Sequence, residues 1–371
     1  MLASTIVTID YHTGGEPFRI VPDPPVTMRG ETVAERRAHA IEDPDVQALR
    51  AVLCSEPRGH ADMYGGFIVP PDDAGADLGV LFWHKDGFST ACGHGTIALG
   101  VWAVETGRVT APATGSADVV IDVPSGRVTA RVHREDGRVV AVDFVNVPSW
   151  VVATDVPVST SRGEVRVDVA YGGAVYASLP AEQVGLSVTP RHLGDLITLG
   201  REIKWALNDT PYAAHPTDPR LDGIYGTIWF DDLGDLGDLD DRGDLDDLDD
   251  LDDLDDLDDL DDLGDLGGTA GQVHQRNVTV FADGEVDRSP CGSGTSARLA
   301  VLAADGRLPR GTRLRHDSIV GSTFTGLVLE SVEVDGRPAV IPQVTGMAYR
   351  TGDHVFSVDP ADPLVPGFVL R

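Results

Sequence analysis

Apolar positions along the first 150 residues come in short runs broken by turn residues, with two stretches of helical spacing among them. Residues 4–10 and 66–69 are β-branched or aromatic runs and predict strands, whereas 46–53 repeats its apolar positions at helical intervals. A second helix is predicted over 93–106. Its Ile97, Leu99, Val101, Trp102 and Val104 are apolar almost all round, as in a helix buried on every side, and Gly107 is a natural stop. From 119 to 169 the pattern is strongly β, with strand runs at 119–123, 128–132, 139–144 and 165–169 and turns at Ser125-Gly126 and Asp136-Gly137. Helical spacing returns over 191–207, strands over 223–230 and 277–281, and a last helix is predicted over 292–305.

Between those last two strands Asp-Asp-Leu repeats with a period of three, which fits neither the 3.6-residue helix nor the two-residue strand. Self-repulsion and low hydrophobicity predict a disordered insertion over 231–268. Loop closure tolerates it: lengthening a hairpin loop from about 5 to about 38 residues costs roughly 1.8 kcal/mol. Carboxylate-rich cation binding or partner binding are the other readings of the tract, although it lacks the glycine and bidentate-Glu spacing of an EF-hand loop.

The charge balance changes once this tract is set apart. The chain of 371 residues has 60 Asp+Glu against 29 Lys+Arg, a net charge of −31, and 231–265 alone carries 20 Asp and one Arg, or −19. The remainder, −31 less −19, is −12, an ordinary acidic protein with 42% hydrophobic residues and enough length for two domains. No clustered Lys/Arg is present to displace counterions from nucleic acid or to dock on anionic lipid. No apolar run of membrane-spanning length occurs, and the first ten residues lack a signal-peptide pattern, so a cytoplasmic protein is expected. Three cysteines, Cys54, Cys92 and Cys291, are too few for a disulfide framework, and each needs a packing or a chemical reason. Cys54, at the end of an apolar helical run, reads as packing.

Cys92 and Cys291 read differently. Thr90-Ala-Cys-Gly-His-Gly-Thr and Ser289-Pro-Cys-Gly-Ser-Gly-Thr share Cys-Gly-x-Gly-Thr, and each opens a predicted helix. A thiol just ahead of a helix N-terminus feels the dipole and the free N–H groups, which favours the thiolate and predicts a pKa lowered toward neutrality. The glycines leave the N–H groups of Gly93, His94, Gly95, Gly292, Ser293 and Gly294 open to a carboxylate. If the halves face each other, one thiolate can remove an α-proton while the opposite thiol delivers one, with no cofactor or metal required. Other readings of these residues are a zinc site, which lacks Cys-x-x-Cys or clustered histidines; a dinucleotide fingerprint at Gly292-Ser-Gly-Thr-Ser-Ala297, with too little chain after it; a Cys92–His94 hydrolase pair; and plain burial.

The two boxes resemble those of the proline racemase family, which includes 4-hydroxyproline 2-epimerases and trans-3-hydroxy-L-proline dehydratases. The resemblance extends through Asp10-Tyr-His-Thr-Gly-Gly-Glu-Pro17, Glu56-Pro-Arg-Gly-His-Ala-Asp-Met-Tyr64, Asn146-Val-Pro-Ser149, Asp168-Val-Ala-Tyr-Gly-Gly173 and Asp287-Arg-Ser-Pro-Cys-Gly-Ser-Gly-Thr295. It implies an α/β (α+β) fold of the diaminopimelate-epimerase-like kind, two similar domains each wrapping strands around a central helix, with the site in the cleft. The expected division is 1–125 with 346–371 for one domain and 126–345 for the other, the acidic insertion lying in the second. Carried over by motif, Cys92 and Cys291 would be the two acid/bases. Gly93, His94, Gly292 and Ser293 would bind the substrate carboxylate, and Asp287 would accept from the ring ammonium. A further binding position falls within 215–225. The dehydratases resemble the racemases but carry Thr where Cys291 stands, so Cys291 favours a cofactor-independent racemase or epimerase acting on proline or hydroxyproline, with a 4-hydroxyproline 2-epimerase or a proline racemase expected first. The alternative is a trans-3-hydroxy-L-proline dehydratase, since 281–290 and the C-terminus look closer to that branch. The expected partner is a small-molecule substrate, with no nucleic acid and no membrane, in a monomer or homodimer. A noncatalytic amino-acid or cation-binding protein is the remote alternative.

Overall fold

The computed structural model describes residues 5–235 and 273–370. Strands β1 (Thr5–Thr13) and β2 (Glu16–Val21) lead into helices α1 (Val33–Glu42) and α2 (Pro44–Cys54), then β3 (Gly65–Val69), β4 (Leu78–His84) and the short β5 (Gly87–Phe88). Helix α3 (Gly93–Glu105) follows, then β6 (Gly115–Val123), β7 (Gly126–Glu135) and β8 (Arg138–Val145). The chain continues with β9 (Trp150–Thr160), β10 (Gly163–Tyr171), β11 (Val175–Pro180), α4 (Leu193–Asn208), β12 (Ile224–Asp235), β13 (Val273–Phe281), β14 (Glu285–Asp287), α5 (Gly292–Ala304), β15 (Arg313–Ser318), β16 (Thr323–Val334) and β17 (Arg337–Gly346). It ends on β18 (Ala348–Ser357), which returns to pair with β1.

Pairing exposes a duplication. In the first half β18, β1 and β2 are antiparallel, β2–β3 is parallel, β3–β4–β5 antiparallel, β4–β6 parallel, and β6–β7–β8 antiparallel. The second half repeats this order with β9, β10 and β11, then β12, β13 and β14, then β15, β16 and β17. Strands β8 and β17 join the two. The mixed α/β architecture expected from sequence is therefore present. Pairing carries the first half through Val145, past the expected division at 125, because β7 and β8 ladder onto β6 across the Val123↔Gly126 and Glu135↔Arg138 turns. The second of those turns is Asp136-Gly137, both at positive φ (48° and 85°), as a two-residue hairpin loop demands.

Each half wraps its sheet around one helix, which explains why α3 is apolar all round: every residue from Gly93 to Val104 is buried. In α5 the same holds from Gly292 to Leu302, including Arg298, whose guanidinium donates to Ser178 Oγ and Gln275 Oε1 and lies over the Phe230 ring. Buried hydroxyls in both helices are satisfied by the carbonyl one turn back: Thr96 donates to Cys92 O and Ser296 to Gly292 O. Helix α1 is not apparent from the apolar pattern. Its apolar face is thin, but Thr32 and Glu35 form a reciprocal capping box that starts it.

The acidic tract begins later than expected. Residues 231–235 extend β12 and pair with 273–276, because Asp231 accepts from Val188 N (2.8 Å) and Asp232 pairs with Arg307 (2.7 Å), so their carboxylates are held instead of repelling one another. The rest of the predicted insertion lies outside the described residues. No described helix is long and apolar enough to cross a membrane.

Candidate active site

Helices α3 and α5 meet N-terminus to N-terminus at the junction of the halves. A Cβ on Gly93 would lie 2.5 Å from Gly292 Cα and 2.8 Å from Ser293 N, so only glycine permits this approach. Cys92 is the N-cap of α3, in extended conformation, and its Sγ accepts from Gly95 N at 3.2 Å. The thiols sit over the third residue of each box: a Cβ on Gly95 would be 2.8 Å from Cys92 Sγ, and one on Gly294 2.9 Å from Cys291 Sγ. Cys291 is held at φ +63°, ψ 96°, a conformation that costs a non-glycine residue about 1–3 kcal/mol. The loop before it fixes this geometry. Cys291 N donates to Ser289 Oγ (3.1 Å), and both Thr295 Oγ1 and Asn277 Nδ2 donate to Pro290 O (3.0 and 3.1 Å).

One enclosed space brings together Cys92, His94, Asp287, Cys291 and Ser293 of the sequence-predicted set. Gly93 and Gly292 lie behind it, as the contact between the helices. The free volume is about 10 Å³, room for about one water, so a proline-sized molecule requires the halves or a lining side chain to move. Asp287 Oδ1 accepts from Ser289 N and Oγ (2.8 and 2.7 Å), while Oδ2 faces His94 Nδ1 at 3.9 Å. His94 Nδ1 is 3.5 Å from Cys92 Sγ. Burial pushes its imidazole down to about 4 against the pull of Asp287, so it is neutral near pH 7.

The expected lowering of the thiol pKa values is not what the closed site does. Burial pushes both Cys92 and Cys291 well above the ordinary thiol range, the Asp287 carboxylate raises both further, and the bonds from Gly95 N and Gly294 N only offset part of this. Desolvation of a thiolate in a sealed pocket outweighs a helix N-terminus, and a sequence carries no measure of that burial.

Three phenols complete the lining, none of them among the sequence-predicted site residues: Tyr64, Tyr176 and Tyr225, with Phe281 beside them. Tyr176 Oη and Ser293 Oγ share a hydrogen bond of 2.7 Å. Tyr64 Oη contacts Ser89 Oγ and lies 3.1 Å from Tyr225 Oη. Burial raises all three phenols, which remain hydrogen-bond donors across the working pH range. Tyr64 closes the motif that begins at Glu56, and Tyr225 ends the stretch in which a binding position is expected; no sequence signal marks Tyr176. His215, in the same stretch, packs against Trp150 and Tyr171 instead. Tyr225 also lines a cavity of about 380 Å³ that includes Arg37, Lys204 and Trp205, and so stands between that cavity and the sealed space. Around the site the halves are tied by Arg288 to Glu16 (3.0 Å) and Asp62 (3.3 Å) and by His84 to Glu285 (3.1 Å).

The sequence profile described as proline racemase matches residues 8–241 and 260–369. The chain belongs to the proline racemase family. The family match leaves out residues 242–259, which lie within the Asp/Leu tract. Among family members of assigned activity, the chain is 41% identical to a trans-3-hydroxy-L-proline dehydratase of Bacillus cereus, over 98% of this chain and 97% of that one. It is 40% identical to a 3-hydroxyproline 2-epimerase of Burkholderia multivorans, over 100% and 99% of the two chains. A solved hydroxyproline epimerase from Agrobacterium vitis, with trans-4-hydroxy-L-proline bound, superposes with a TM-score of 0.83 at 29% identity, covering 99% of this chain and 96% of that one.

Proposed function

We propose that the protein is a 3-hydroxyproline 2-epimerase that inverts the α-carbon with Cys92 and Cys291 as paired acid/bases. The observation that carries the reading is the placing of two thiols, on two facing helix starts, in one sealed pocket with a carboxylate between the halves. The 3-hydroxy substrate is favoured by relatives named for 3-hydroxyproline at 40–41% identity. Asp287 takes the ring ammonium in a charge-assisted bond, and the substrate carboxylate lies at the N-termini of α3 and α5, where His94 and Ser293 line the pocket. Binding the ammonium cancels the field by which Asp287 raises both thiols, so substrate promotes formation of the thiolate that attacks it. One cysteine sulfur then takes the α-proton, the electron pair moves into the carboxylate held at the helix ends, and the opposite thiol returns a proton to the other face.

Dehydration of trans-3-hydroxy-L-proline is the second reading, favoured by the name of the 41% relative. It shares the first step and differs afterwards: the carbanion expels the C3 hydroxyl instead of being reprotonated. Proton NMR of trans-3-hydroxy-L-proline incubated with enzyme in D₂O separates them. The proposal expects cis-3-hydroxy-D-proline deuterated at Cα; the cyclic ketimine as sole product would replace it with the second reading.

A further inference from the structure

The loop that carries Cys291 is held from behind by a histidine outside the pocket. His316, on β15, is fully buried, and its Nδ1 lies 2.8 Å from Thr295 Oγ1. Thr295 closes the second Cys-Gly-x-Gly-Thr box and donates in turn to Pro290 O at 3.0 Å. That carbonyl belongs to the peptide linking Pro290 to Cys291, so two hydrogen bonds run from β15 to the thiol residue. A threonine has one hydroxyl proton, and a carbonyl can only accept. The proton therefore goes to Pro290 O, and His316 donates to Thr295 from Nδ1. Burial pushes the imidazole down to about 3, so the ring is neutral and this N–H is its only one. Its Nε2 is left as a buried nitrogen with no hydrogen-bond partner among the described residues. An apolar side chain at 316 would avoid that cost, and the imidazole is explained by what Nδ1 does.

The first half has the same threonine in a different arrangement. Thr96 turns its hydroxyl back within α3 and donates to Cys92 O at 2.7 Å, the ordinary bond of a helical threonine. Cys92 is in extended backbone at φ −158°, which needs no support. Cys291 stands at φ +63°, a conformation that persists only where its surroundings over-determine it. Thr295 reaches one residue farther back than Thr96 does, to Pro290 O, and Asn277 Nδ2 donates to the same carbonyl at 3.1 Å. The extra hold falls on the half whose cysteine is strained.

We propose that His316 is a positioning residue for Cys291 that acts through Thr295: its Nδ1–H turns the Thr295 hydroxyl onto Pro290 O, which fixes the peptide before Cys291 and aims the sulfur into the cleft. The inference rests on the two-thiol reading above. No proton passes along these bonds. Release of Pro290 O lets Cys291 relax toward the extended backbone that Cys92 adopts, and the sulfur leaves its place beside the substrate α-carbon.

A double-mutant cycle tests this, with Tm and inversion kinetics on trans-3-hydroxy-L-proline measured for each full-length variant. His316→Leu and Thr295→Val each break the run of bonds, whereas His316→Asn places an amide nitrogen where Nδ1 stands. A misplacement of about 1 Å costs about 10²-fold in rate, so kcat should fall about 10- to 100-fold in the Leu and Val variants. KM should stay within about twofold, because Asp287 and the helix starts still bind substrate. His316→Asn should recover most of kcat, and adding His316→Leu to Thr295→Val should cost no further turnover, since the path is already cut. Should Leu fail to fold, His316→Gln replaces it throughout, because the longer side chain carries its amide past the Nδ1 position. Wild-type kcat in the Leu or Gln variant, a loss in Asn equal to theirs, or losses that multiply in the double variant would each overturn the role of His316. Full inversion by Cys291→Ala would instead overturn the two-thiol reading, whatever the cycle shows.

Discussion

Gly93→Ala sets two physical terms against each other. Helix propensity alone favours alanine over glycine by up to about 1 kcal/mol. Packing says the opposite, because the added methyl would sit 2.5 Å from Gly292 Cα, 2.7 Å from Gly292 C and 2.8 Å from Ser293 N. Carbon atoms in contact prefer about 3.5–4.0 Å, so the helix starts must separate by about 1 Å, and every obstructing atom is backbone that no rotamer change can move. Overpacking of this kind costs about 1–3 kcal/mol, which outweighs propensity. The same displacement carries Cys92 away from Cys291, and a 1 Å misplacement of reacting groups costs about 10²-fold in rate. Thermal unfolding and inversion kinetics measured together should show a lower Tm and a kcat reduced by about two orders of magnitude. Gly194→Ala is the control: it sits in α4 where an added methyl would meet nothing within 4 Å, and it should be neutral or slightly stabilising. A Gly93→Ala variant with unchanged Tm and turnover would refute the close helix contact and the geometry built on it.

Asp287→Asn should raise KM by about 10- to 100-fold by removing a charge-assisted bond to the ring ammonium, while lowering the alkylation midpoints of both thiols, since the carboxylate raises them; midpoints that rise would reverse the electrostatic argument. Burial holds His94 at about 4 and His316 at about 3, below the ordinary value near 6.5, so both are neutral in the folded chain and take up protons first when it unfolds. Their contribution to stability is full above pH 6.5 and is lost as pH falls toward 4, at about 1.4 kcal/mol per unit of displacement. Urea unfolding at pH 7.5 and 5.0 should show the loss, and His316→Gln should reduce it; an identical loss in the variant would count against His316. Replacing residues 236–272 by a short glycine-containing turn should leave kcat and KM unchanged, because Asp235 and Val273 are already paired in the β12–β13 ladder. A large loss of activity in the folded deletion variant would assign the acidic tract a part in catalysis.

The parts of this molecule legible in sequence are those with a local cause. Helices α3 and α5 announce themselves by a cysteine-glycine box followed by an all-round apolar run, and the hairpin through Asp136-Gly137 by its turn. Amphipathic spacing places the start of α4 within two residues. What escapes has a non-local cause. The parallel pairings of β2 with β3 and β11 with β12 join strands separated by helices, and nothing in either run marks its partner. Tyr176 enters the site only because β11 lies beside α5, and the thiol pKa values depend on how completely two halves close over them. Helix α1 is legible in principle from Thr32 and Glu35, whose spacing is a capping signature, but its thin apolar face hides it.

If two thiols, one from each half, work on opposite faces of one α-carbon, inversion needs both. Cys92→Ala and Cys291→Ala, each confirmed folded by its Tm, should be incubated with trans-3-hydroxy-L-proline in D₂O beside the wild-type protein and followed by NMR for the epimer and for deuterium at Cα. Epimer deuterated at Cα is expected from the wild type and none above background from either variant. Inversion at the wild-type rate by one of the single variants would contradict the two-thiol reading.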